Sequence, residues 1–100
     1  MNNLSLGFIG VGLMGLSLIR RLSYLDYKIE AYDKNLKKLE PLKKITNVRL
    51  NQNASKISKN NDIIILCLNK TKSVNEVVFG KDGLVNNAHN NTIILDLSTT

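Results

Sequence analysis

Apolar residues follow two alternating patterns along the chain. There are short unbroken runs, and between them stretches in which apolar side chains recur every three or four positions. The runs cover Leu4 to Ile9, Ile29 to Tyr32, Val48 to Leu50, Ile63 to Leu68 and Thr92 to Leu97. Ile63-Ile64-Ile65-Leu66-Cys67-Leu68 and Ile93-Ile94-Leu95 have no polar alternate, as expected of parallel strands covered on both faces. Between the first two runs, Gly15, Leu18, Leu22 and Leu25 line one face of a predicted helix. Leu36, Leu39 and Leu42 return every third residue with lysines between them. They predict a second amphipathic helix, which Pro41 should kink or shorten. Ala54 to Lys59, with Asn53 as its cap, predicts a short third helix. Ser73 to Phe79, stopped by Gly80, predicts a fourth.

Strands alternating with helices over short connections predict an α/β fold. Crossovers between parallel strands are right-handed, so the expected architecture is a doubly wound parallel sheet of about five strands in the order 3-2-1-4-5. One hundred residues are read as one domain, with no internal repeat, linker or low-complexity tract.

Composition narrows the function classes. An apolar share of 43% with 22% charged residues is ordinary for a globular chain and removes disorder as the default. Trp is absent and aromatics are 5%, which argues against a base-stacking platform. The net charge of +6 would suit a nucleic-acid binder or an enzyme with anionic ligands. Most of the basic residues are lysines scattered as Lys37-Lys38, Lys43-Lys44, Lys56, Lys59, Lys70 and Lys72, with no arginine cluster. That distribution reads as a solvated surface, and no nucleic-acid partner is expected. The lone Cys67 excludes an internal disulfide and a cysteine-based zinc site, and fits a reducing cytosol. No apolar run reaches the roughly 18 residues of a membrane span, and the N-terminus lacks a cationic leader with a cleavage site. A soluble, cytoplasmic protein with no membrane partner is expected.

The candidate chemistry lies in Phe8-Ile9-Gly10-Val11-Gly12-Leu13-Met14-Gly15, which contains G-x-G-x-x-G. It follows an apolar strand, opens an amphipathic helix, and is followed by Asp33 at the end of the next predicted strand, 18 residues after Gly15. This context points to a Rossmann-type dinucleotide-binding domain. Gly10 makes the tight turn, and Gly12 lets the amides of Val11, Leu13 and Met14 approach a pyrophosphate with no Cβ in the way. Gly15 lets the helix lie close on the sheet. The helix dipole adds attraction for the anion. The competing reading is three glycines that serve only a turn. Asp33 is placed to accept hydrogen bonds from the adenosine ribose, which favours NAD; NADP remains possible because Lys34 could compensate a 2′-phosphate. The same Asp33 could instead cap the Leu36 helix, and the two roles can coexist.

Other residues read plainly. Cys67 is core packing, with ligand contact as the alternative. His89, among asparagines, is a surface residue with no metal partners. Asp96 is a hydrogen-bonding residue at a strand end. Asp62, Glu76 and Asp82 show no paired spacing for acid–base work.

With these landmarks in order, the chain resembles the β-hydroxyacid dehydrogenases, the family of 3-hydroxyisobutyrate dehydrogenase, tartronate semialdehyde reductase and 6-phosphogluconate dehydrogenase. The resemblance rests on Gly7 to Gly15, Tyr32-Asp33-Lys34, Asp62-Ile63-Ile64-Ile65, Gly80-Lys81-Asp82-Gly83-Leu84 and Asp96-Leu97-Ser98-Thr99. It covers the whole chain, but only the N-terminal part of such an enzyme. It implies that the backbone of Leu68 and Asn69 touches the cofactor, that Ser98 meets a substrate carboxylate, and that Thr99 lies at the nicotinamide end. Asn69 and Ser17 stand where the family usually carries Pro. The family's catalytic Lys lies on later helices, and no lysine here inherits its role.

The expected function is therefore the dinucleotide-binding domain, residues 1–100, of an oxidoreductase acting on the CH-OH group of a small 3-hydroxyacid. The C-terminal catalytic and oligomerisation domain is expected to be absent, so these residues alone should show no turnover. The alternative is a free-standing dinucleotide-binding or sensing module without catalysis. The last run, Thr92 to Leu97, is expected to invite self-association through an uncovered strand.

Overall fold

The computed structural model describes residues 4–68 and 92–97. They form five strands: β1 (Ser5–Ile9), β2 (Lys28–Tyr32), β3 (Val48–Leu50), β4 (Ile63–Leu66) and β5 (Ile93–Asp96). Helix α1 (Leu13–Tyr24) joins β1 to β2, a 3₁₀ helix (Leu36–Lys44) joins β2 to β3, and α2 (Ala54–Asn60) joins β3 to β4. The sheet order is β3-β2-β1-β4-β5, with every neighbouring pair parallel, as the sequence predicts. Ile9 is level with Tyr32 on one side and with Leu66 on the other, so the carboxyl ends of the three central strands form one edge. The direction of strand addition reverses at β1, and such a switch point is where open α/β sheets bind ligands. The expected helix at Ser73–Phe79 and the loop residue His89 lie outside the described residues. Among the described residues no helix is long and apolar enough to cross a membrane.

Alternation along the strands divides the core between the two faces. Leu6 and Phe8 of β1, with Ile29 and Ala31 of β2, pack with Ile19 of α1 and with Leu39 and Leu42 of the 3₁₀ helix. Ile9, Ile64 and Leu66 pack on the other face against Ile57 of α2. Asn53 caps α2 as predicted, its side chain accepting from the Ser55 N–H at 2.9 Å.

Three expectations need correction. In α1 the buried positions are Gly15 and Ile19, with Leu18 and Leu22 half-buried, whereas Leu25 lies beyond the helix and is exposed. A period of 3.6 residues runs from Gly15 through Ile19 to Leu22, and the helix ends before a further turn. The Leu36 stretch is a 3₁₀ helix with Pro41 inside it. Pro41 lacks the N–H that an α-helix would bond back four residues, and a strict three-residue repeat matches three residues per turn. Leu39 and Leu42 are buried on that stripe, while Leu36 at its start is exposed. Finally, Ile93, Ile94 and Leu95 of β5 are exposed rather than covered on both faces. The strand sits at the sheet edge and is paired with β4.

The end of α1 generates a test. The Tyr27 N–H donates to the Leu22 carbonyl and the Asp26 N–H to the Ser23 carbonyl, the double bond of a Schellman ending. Asp26 occupies the left-handed position, φ 67°, where Gly is preferred. A Cβ there costs about 1–2 kcal/mol, partly offset by the extra freedom Gly gives the unfolded chain. Asp26→Gly should raise the unfolding free energy in urea by about 0.5–1 kcal/mol. A loss of stability would contradict this.

Candidate functional site

Between the end of β1 at Ile9 and the start of α1 at Leu13 the chain turns through residues 10–12. Gly10 has φ 90°, and a Cβ there would collide with the carbonyl oxygen of Cys67, just beyond β4. Its N–H donates to the Tyr32 carbonyl at 2.8 Å, which ties the turn to β2. A Cβ on Gly15 would lie 3.1 Å from the Gly10 carbonyl oxygen and 3.6 Å from Cys67 Sγ, so α1 sits tightly on the strand ends. Gly12 differs. Among the described residues a Cβ there would meet no atom within 4 Å. The fold needs the close approach at Gly10 and Gly15, whereas a side chain at Gly12 would enter only open space.

That space is a cavity of about 550 Å³. Residues 11–16 form one wall, Cys67, Leu68 and Leu97 a second, and Lys38 and Pro41 of the 3₁₀ helix a third. Gly12 is also the N-cap of α1, where no side-chain hydrogen bond caps the helix and no acidic residue lies in the first turn. The first-turn amides and the positive end of the helix dipole therefore border a cavity that can take an anion. Leu13 and Met14 expose their side chains at its mouth.

Asp33 holds this loop from the side. It is buried, and Oδ2 accepts from the Val11 N–H at 2.6 Å while Oδ1 accepts from the Asn35 N–H at 2.8 Å. A carboxylate has about four lone-pair directions, so each oxygen can take one more donor. The capping role considered for Asp33 belongs instead to Asn35, whose side chain accepts from the Lys37 N–H at 3.1 Å. Cys67 both packs against the core and lines the cavity. Burial pushes its thiol pKa upward, and the negative charge of Asp96 adds to the shift.

The structure therefore gathers Gly10, Val11, Gly12, Leu13, Met14, Gly15, Asp33 and Leu68 at the carboxyl edge of the sheet. Asn69, Ser98 and Thr99 lie outside the described residues. Sequence reasoning missed Lys38. It considered Lys34, which is exposed, and placed Lys38 on a solvated surface, whereas Lys38 is half-buried on the cavity wall. The signal was present in the three-residue repeat, because Lys38 and Pro41 share a stripe beside Leu39 and Leu42.

The model of the NAD-binding domain of 6-phosphogluconate dehydrogenase matches residues 5–100. The chain belongs to this family. It is an NAD(P)-binding domain of the Rossmann type, and its ligand is NAD or NADP. The oxidoreductase YkwC of Bacillus subtilis is 27% identical over 96 residues, covering 96% of this chain and 33% of YkwC. The cytokine-like nuclear factor N-PAC of Drosophila melanogaster is 24% identical over 94 residues, 15% of its own length. The chain thus spans about a third of YkwC and less of N-PAC. Among solved structures, an imine reductase from Myxococcus stipitatus in complex with NADP+ superposes with a TM-score of 0.84 at 21% identity, covering 94% of this chain and 32% of that one. A variant of that reductase in complex with NAD+ gives 0.86 at 20% identity, covering 97% and 32%. These two likenesses show the fold.

Two measurements probe the cavity. Gly12→Val should keep the far-UV CD and melting of the wild type, because a Cβ there meets no atom of the described residues. It should lose NAD affinity by about a hundredfold or more in calorimetry; unchanged affinity would displace the ligand from this loop. Cys67, with its raised pKa, should react with maleimide more slowly at neutral pH than a free cysteine, and its rate should keep rising past the ordinary thiol range. In that range the unfolded chain loses its thiol proton first, so this group lowers stability as pH rises. Saturating NAD should slow the alkylation. Equal rates with and without NAD would place Cys67 away from the bound ligand.

Proposed function

We propose that this domain binds NAD in preference to NADP and presents its nicotinamide for hydride exchange with a small 3-hydroxyacid. The observation that carries the reading is the pairing of the open space over Gly12 with an uncapped α1 N-terminus, held by the Asp33–Val11 hydrogen bond. In this reading the amides of Leu13 and Met14 take the pyrophosphate, Val11 anchors the loop because its N–H is already given to Asp33 rather than free for the ligand, and Gly10 and Gly15 shape the turn beneath it. The free lone pairs of Asp33 take the adenosine ribose hydroxyls. The backbone of Leu68 and Asn69 runs along the cofactor, with Thr99 towards the nicotinamide and Ser98 towards the substrate carboxylate. Bound NAD supplies the hydride acceptor; the residues of this chain bind it, orient it and limit its access to water. The substrate class is supported by the resemblance of Asp96-Leu97-Ser98-Thr99 to the hydroxyacid dehydrogenases, and the reaction class also by the likeness to YkwC.

The preference for NAD follows from charge. A ribose hydroxyl donates to Asp33 in a charge-assisted bond worth roughly 1.5–3 kcal/mol. A 2′-phosphate brings about −1.5 to −2 charge and no donor to the same oxygens. Lys38 on the cavity wall, with Lys34 and Lys37 outside it, offsets part of that repulsion. The expected outcome is NAD binding about tenfold tighter than NADP, or about 1.4 kcal/mol, by calorimetry at moderate salt. Asp33→Asn keeps one acceptor for the loop and removes the charge, and should bring the ratio towards one. Tighter binding of NADP than NAD by the wild type would mean that the lysines outweigh Asp33.

A further inference from the structure

A carboxylate inside a parallel sheet must be hydrogen-bonded to be tolerated. Glu30, in the middle of β2, is 5% exposed. Its Oε2 accepts from Asn51 Nδ2 at 2.8 Å, and its Oε1 accepts from Asn61 Nδ2 at 2.9 Å. These two asparagines bracket α2. Asn61 Nδ2 also reaches the Ile57 carbonyl at 2.8 Å, near the helix end. Asn51 Oδ1 accepts from the Asn53 N–H at 3.0 Å, and Asn53 in turn caps the start of α2. The Asn51 N–H continues the ladder onto the Ala31 carbonyl at 2.9 Å. The turn at 51–53 is therefore held by the sheet, by a buried carboxylate and by a helix cap. The neighbouring core on this face is apolar, and packing alone would not need a charge here.

What this turn displays is Gln52. Ala31 is level with Leu50 at the end of β3 and the Asn51 N–H bonds back to the Ala31 carbonyl, so Gln52 follows in the bend just beyond β3, on the carboxyl edge where β2 leads into Asp33. Gln52 is exposed. We propose that Gln52 is a specificity-determining residue that reads the edge of the adenine base beside Asp33, and that Glu30 is the positioning residue that holds its turn. This rests on the dinucleotide reading above. A primary amide both donates and accepts, which matches the N7 acceptor and the N6 amino donor of adenine. Hypoxanthine replaces that amino group with an oxygen, so the same amide would face two acceptors and lose one bond.

The test uses the full chain and calorimetry with AMP, IMP and inorganic pyrophosphate as probes. The wild type should bind AMP about three- to tenfold tighter than IMP, the worth of one hydrogen bond. Gln52→Ala, at an exposed site, should bring the ratio to one and leave pyrophosphate affinity unchanged. Glu30→Gln places an amide donor against an asparagine donor and should also lower the ratio, with no further loss in the Gln52→Ala background. A wild-type ratio of one, or a ratio that survives Gln52→Ala, overturns the proposal, and the Gln52→Ala result decides it even where Glu30→Gln fails to fold. A Glu30→Gln variant that loses pyrophosphate and AMP in equal proportion overturns the positioning role. If the wild type binds none of these probes, nor NAD, the dinucleotide reading itself falls.

Discussion

The bond from the Val11 N–H to Oδ2 of Asp33 joins two parts of the chain that are otherwise only neighbours at a sheet edge. It is short and buried, and its acceptor is charged, so it belongs to the stronger class of protein hydrogen bonds. Its partner oxygen fixes Asn35, which caps the following 3₁₀ helix. One carboxylate thus sets the glycine loop relative to β2 and also sets where the third cavity wall, with Lys38 and Pro41, begins. With those walls in place the amides at the start of α1 border a space that the described residues leave open.

The glycines divide between fold and ligand. Gly10 answers to the Cys67 carbonyl and Gly15 to the packing of α1, so both belong to the geometry of the sheet edge. Gly12 answers to no atom of the described residues, and its open side faces the cavity beside the start of α1. The opposite face of the sheet follows a different logic, since Glu30 spends a buried charge on tying down both ends of α2.

Strand order and the dinucleotide loop were legible in the sequence because they depend on strong local signals. Unbroken apolar runs mark β4, three glycines at fixed spacing mark the turn, and a carboxylate ends β2. The departures arise where local pattern meets a competing constraint. A three-residue leucine repeat was read with helical periodicity, although Pro41 in its midst favoured the tighter helix. Asp33 and Asn35 are both good caps, and only the position of the glycine loop shows that Asp33 is engaged elsewhere. Cys67 packs against the core, as its apolar run suggests, and also lines the cavity, because it stands just beyond the end of β4. The exposure of β5 agrees with the uncovered last strand expected, and departs from the cover on both faces that its unbroken apolar run suggests.

Cofactor choice within this architecture cannot come from the fold. The Myxococcus imine reductase and its variant hold NADP+ and NAD+ respectively on frameworks that superpose almost equally well on this chain. Selection has to come from side chains at the end of β2 and around it. Asp33, the carboxylate proposed to read the ribose, also carries the backbone bonds of Val11 and Asn35. Replacing it would relax the loop and the 3₁₀ helix together with the proposed ribose contact. On the proposed reading, specificity and architecture are therefore coupled at Asp33. A change of cofactor could be made with less structural consequence at Lys38, which borders the same cavity and carries none of those bonds.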